Sequence, residues 1–97
     1  MRLTGEVARE LAYCSVGTEY EGFMVVHNEL IDTDRWSTIH LLVVQDLRGL
    51  GFWGHPYSQG ATEYQDERPF EYLGGVEFER YYAKPVRTTE WVKEDYL

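Results

Sequence analysis

Gly49-Leu50-Gly51-Phe52-Trp53-Gly54 spells G-x-G-x-x-G, the fingerprint of a dinucleotide-binding turn. That chemistry requires a helix to begin at the glycines, so that its free N–H groups face a pyrophosphate. Here β-favouring Phe52 and Trp53 fill the variable positions, and His55-Pro56 follow. The stretch predicts a glycine-punctuated hairpin instead. A chain of 97 residues also lacks room for a doubly wound sheet. Asp32-Thr33-Asp34 begins like a calcium loop, but Trp36 takes the third ligand position, Ser37 replaces the glycine and Val43 replaces the final acid. A hairpin turn is the better reading. His27, His40 and His55 lack zinc-ligand spacing, and Cys14 is the single cysteine. Two strands folded about Asp32-Thr33-Asp34 would bring His27 and His40 close on one face, as cross-strand polar neighbours. Cys14 falls on the apolar stripe of a short helix, which predicts a buried, inert thiol. No G-x-S-x-G elbow, G-K-[ST] loop or E-x-K tripeptide occurs. Neither a metal nor a cofactor is expected.

The densest group of ionisable residues is GATEYQDERPFEY, residues 60–72. Glu63, Asp66, Glu67 and Glu71 face a single Arg68 within it. In a helix, Glu63, Glu67 and Glu71 would stack on one face and repel. Pro69 opposes an uninterrupted helix and pushes Arg68 toward an extended conformation. The acids therefore belong on an irregular loop, where Arg68 neutralises one of them. Phe70 and Tyr72 alternate and are expected to pin the loop's end to a sheet, with Trp53 and Tyr57 as neighbours. Catalytic carboxylates need a concave site and a second group of separated pKa. The loop supplies neither, so a non-enzymatic role is expected, with Glu63, Tyr64, Asp66, Glu67 and Glu71 as partner contacts presented outward.

Composition narrows the partner. Nine Lys and Arg stand against 17 Asp and Glu, a formal net charge of −8. Such a chain is repelled by phosphate backbones and anionic membranes, so direct nucleic-acid or membrane binding is not expected. A basic protein surface is the complementary partner. The eight tyrosines suit both sheets and binding surfaces. One cysteine excludes an intrachain disulfide and fits a reducing cytosol. No basic, apolar, small-residue signal opens the chain. The longest apolar run, Leu41 to Val44, is far too short for a bilayer.

These residues must be positioned by one domain, residues 1–97. Leu3, Val7, Leu11 and Cys14 recur at helical spacing, with Thr4 as cap and Gly17 beyond the end, so the pattern predicts a helix over 4–14. A strand over the same residues, 4–14, remains open. Alternation predicts strands at 23–31, at 36–46 and at 52–58, the last interrupted by Pro56, which favours an edge or a bulge. A long polar connection covers 59–75. Strands at 76–84 and 86–93 follow, divided by Pro85, and then a frayed tail. The sum is α+β, mainly β: a short N-terminal helix and about five antiparallel strands in meander order, as a twisted sheet or a small, partly open barrel.

Arg35-Trp36-Ser37, then Tyr57-Ser58-Gln59-Gly60-Ala61-Thr62-Glu63, Gln65-Asp66-Glu67 and Pro69-Phe70-Glu71, resemble a group of small tailed-phage proteins, notably of actinobacteriophages. The resemblance covers roughly residues 23–93 and rests on the G-A-T-E-x-Q-D-E-x-P-F-E run. It carries no activity and no residue role. It implies a phage-encoded accessory protein in the host cytoplasm, docking on and inhibiting or modulating a host or phage protein. Two alternatives stand beside it. One is a ligand- or nucleotide-sequestering homo-oligomer using Arg35, Trp53, Tyr57 and Arg80. The other is a virion or assembly component.

Overall fold

The computed structural model describes residues 1–49, 51–60, 67–71, 73–87, 91, 93 and 94. Thr4 ends a short first strand, β1 (Arg2–Thr4), and starts helix α1 (Gly5–Tyr13). Its Oγ1 accepts the Val7 N–H at 3.1 Å, satisfying one of the helix's free donors. Cys14 closes the helix, its N–H donating to Leu11 O. The thiol is half-buried rather than fully enclosed. The helix buries Gly5, Ala8, Leu11 and Ala12 along one face, as the apolar spacing requires.

A five-stranded antiparallel sheet follows, in the order β2-β3-β4-β5-β7: β2 (Glu19–Tyr20), β3 (Phe23–Thr33), β4 (Ser37–Asp46), β5 (Phe52–Gly60) and β7 (Glu79–Tyr81). The sheet does not close into a barrel, and β2 and β7 are its edges. β6 (Gly75–Glu77) pairs instead with β1, Leu3 opposite Val76. The expected strand over 76–84 is thus two strands that serve different sheets. The break falls at Phe78, which is 1% exposed and exchanges backbone hydrogen bonds with Met1. No strand occurs among the described residues of the expected 86–93 element. Val86 and Trp91 of that segment are exposed.

On the meander's core side, Val44 and Leu42 of β4 lie beside Val25 of β3 and Trp53 and Tyr57 of β5. Together with Leu3, Ala8, Leu11, Val76, Phe78 and Phe70 they form one hydrophobic cluster under α1. The shortest dimension of the molecule, 20 Å, matches one sheet and one helical layer at about 10 Å each. β5 runs through Pro56 without a break. β7 pairs only with Phe52–Gly54, so among the described residues no strand pairs with Pro56 on that side, where an N–H would be needed.

The glycines of the G-x-G-x-x-G stretch are placed as a hairpin, with no helix following. Gly49 and Gly51 hold φ of 88° and 90° in the β4–β5 turn. Gly54 sits mid-strand because a Cβ there would meet the Tyr81 ring at 2.8 Å. Asp46 fastens the turn. Its Oδ1 accepts the Arg48 N–H at 3.0 Å and the Arg48 Nε–H at 3.1 Å.

Candidate interaction site

The acidic segment leaves β5 at Gly60, which pairs with Ser37 at the start of β4. It returns at Glu67, whose carbonyl accepts the Gly60 N–H at 3.1 Å. Glu63, Tyr64, Asp66 and Tyr72 lie outside the described residues. Glu67 does not project outward. Its two carboxylate oxygens accept Ser37 Oγ–H at 2.9 Å and Ser58 Oγ–H at 3.1 Å, so it bolts the segment's end to β4 and β5. Glu71 is also used in cis. It accepts the Arg68 N–H at 3.0 Å while its own N–H donates to Arg68 O, a turn closed from both ends.

Phe70 pins this turn to the sheet, as its alternation with Tyr72 indicates. It is buried, with ring centres 5.4 Å from Tyr57, 5.7 Å from His55 and 6.0 Å from Phe78. Its φ is +54°, a left-handed conformation that a bulky side chain adopts only under external constraint. The constraint comes from α1. Arg9 donates Nε–H to Pro69 O and Nη2–H to Phe70 O, each at 3.2 Å. The helical spacing of the sequence gives no sign of this role for Arg9, because the contact joins residues about 60 positions apart. Ser37 and Ser58 give no signal either, since no acidic residue adjoins them in sequence. A shallow cleft of about 290 Å³ beside this turn is lined by Tyr57, Ser58, Glu67, Arg68 and Glu71 among others.

The same end of the sheet carries the β3–β4 hairpin tip, where every residue from Glu29 to Trp36 is exposed. Asp34 builds the turn: its Oδ1 accepts the N–H groups of Trp36 and Ser37 at 2.8 and 2.9 Å. Trp36 therefore sits in the turn and β4 starts at Ser37. Leu30, Ile31 and Trp36 are each more than half exposed, interleaved with Glu29, Asp32 and Asp34. Arg35 lies over the Trp36 ring at 5.4 Å.

The four residues of the pocket alternative do not converge. Arg80 stacks on Trp53 at 5.4 Å, at the β7 end of β5. Arg35 is in the hairpin turn, beyond the Ser37–Gly60 pair at the opposite end of that strand. Trp53 and Gly60 are seven positions apart along β5, roughly 23 Å at about 3.3 Å per residue. Tyr57 lies between, buried, with its hydroxyl donating to Asn28 Oδ1 at 2.9 Å. Burial holds that phenol above its usual pKa, against the Asn28 hydrogen bond.

The histidines are also apart. Register shifts between Val25 and His27 and between Leu30 and Asp32 put His40 opposite Leu30, and His27 opposite Val43. Thr33 pairs with Thr38, so the turn is centred between Arg35 and Trp36 rather than at Thr33, and His27 and His40 cannot stand opposite each other. His27 instead meets Glu29 at 2.9 Å, and His40 stacks on Tyr57 at 5.0 Å. Among the described residues no group of three or more His, Cys, Asp or Glu is arranged to hold a metal ion. No helix among them is long and apolar enough to cross a membrane.

Compared with known protein families, curated proteins and solved structures, the chain matches none of them.

Proposed function

We propose that this chain is a non-catalytic docking protein that binds a basic surface on a host or phage protein. The observation that carries this reading is the β3–β4 hairpin tip, exposed from Glu29 to Trp36, with acids alternating with Leu30, Ile31 and Trp36. Acids give attraction and steering toward a basic patch, and exposed apolar and aromatic side chains give the buried contact. Segment 61–66, with Glu63, Tyr64 and Asp66, connects to the sheet beside this tip, because Gly60 pairs with Ser37. The resemblance to tailed-phage proteins supports a phage accessory protein acting in the host cytoplasm on a host protein.

The test is a pull-down from host lysate at low and high salt with the full chain, with E29K/D32K and with E63K/D66K. A partner retained at low salt, released at high salt and lost with E29K/D32K supports the reading. Unchanged capture by both charge-reversed chains would sink it. Asp34 is left intact in these variants because it builds the turn.

A further inference from the structure

The sheet face turned away from α1 carries its own cleft, of about 460 Å³. Val26, Val43 and Phe52 contribute from three successive strands, and Tyr81 with the following Tyr82 and Lys84 contribute from β7 and beyond. We propose that this cleft binds a small flat aromatic anion, such as a fused-ring carboxylate.

Four observations carry the assignment. The volume lies within the range of small-molecule sites, roughly 300–1,000 Å³, and the lining is apolar and aromatic with few polar groups, as such sites require. The Tyr81 ring is held against Gly54, where any Cβ would strike it at 2.8 Å, so one aromatic wall is fixed in place. Tyr82 lines the cleft yet is 82% exposed, leaving a ring available for stacking. The charge is inverted relative to the rest of the chain. A protein of net charge −8 here lines a cleft with Lys84 and no acid. His27, the other titratable group of the lining besides the tyrosines, is paired with Glu29 at 2.9 Å. A ring lies between the aromatics over Val43, and its carboxylate faces Lys84. This site touches the hairpin tip only through the His27–Glu29 pair, and its ligand does not depend on partner docking.

The experiment titrates 2-naphthoate and its neutral isostere 2-naphthamide into the full chain, followed by backbone amide NMR shifts. Saturable shifts centred on Val26, Val43, Phe52 and Tyr81 are expected with naphthoate, and affinity about tenfold weaker for naphthamide. K84Q is expected to bring naphthoate down to the naphthamide level while leaving naphthamide unchanged. G54A, which displaces the Tyr81 ring, is expected to weaken both ligands. Equal affinity of the two ligands, shifts centred outside the cleft, or occupation of these residues by a second copy of the chain in a concentration-dependent dimer would each overturn the proposal.

Discussion

Arg9 and Phe70 are joined by an Nη2–H···O bond of 3.2 Å, the second prong of a fork whose first prong holds Pro69 O at the same distance. Phe70 keeps its left-handed φ of +54° only while this fork and its ring contacts persist. Arg9→Met keeps much of the stem and removes both bonds. It is expected to lower the unfolding free energy by about 2 kcal/mol in denaturant melts. Arg9→Lys keeps the charge without the planar fork and is expected to recover less than half of that loss. Equal stability of the Arg9→Met and wild-type chains would show that the turn holds itself.

Gly5 gives a test by sign. In an exposed helix, Gly→Ala usually stabilises by about 1 kcal/mol. Here a Cβ on Gly5 would lie 1.8 Å from Leu73 O, and the Gly5 N–H already donates to Gly74 O. G5A is therefore expected to destabilise, by about 3 kcal/mol, as the 73–74 backbone is pushed off the helix start. Thermal melts of the two chains decide the sign directly.

Glu67 shares its carboxylate between Ser37 and Ser58. Removing either hydroxyl is expected to cost about 1 kcal/mol. The double variant S37A/S58A should depart from additivity, because both hydroxyls hold one carboxylate. A double-mutant cycle from denaturant unfolding measures the departure.

Asp46 sets part of the acid limb of stability. The Arg48 N–H, then the Arg48 guanidinium, hold its carboxyl below the ordinary 3.8, against the opposing effect of burial. A depressed folded pKa contributes stability that is present above the unfolded value and lost as pH falls through the folded one. Asp46→Asn is therefore expected to flatten the stability–pH curve below about pH 4, with no change of slope near neutrality. Tyr57 acts at the other end. Burial raises its pKa above 10.0, so its contribution is complete below pH 10.0 and lost as pH rises beyond it. Tyr57→Phe should remove that alkaline loss. Both profiles come from urea midpoints across pH.

Much of the meander was legible because its pairings are local and its apolar pattern alternates. Thr4, Gly17, Asp34 and the turn after Asp46 declared the element ends through side-chain chemistry that acts within a few residues. Phe78 was not legible. Nothing in Val76–Lys84 says that its first half belongs to β1 and its second to β5, because that choice is made by Met1, at the far end of the chain. The bulges in β3 escaped for a related reason: they change which residues face each other without disturbing composition. At the candidate site, the acidic character of 60–72 was visible. That Glu67 turns inward was not, since its partners Ser37 and Ser58 come from two other strands. The hairpin tip shows in the sequence as a turn signal alone, and the exposure of its β3 arm follows from β2 pairing only with Phe23 and Met24.

The pairing of β1 with β6 also sets the order in which the chain can acquire its structure. Met1 and Phe78 stand 77 positions apart in sequence and bond directly. During synthesis at about 5–20 residues per second, Leu3 and Leu11 are made before Val76 and Phe78 and wait several seconds for that part of their seat. The β3–β4–β5 meander can assemble in that interval from neighbours alone. The β1–α1 segment thus docks after the meander that follows it in sequence, and its apolar stripe is the surface a chaperone would meet.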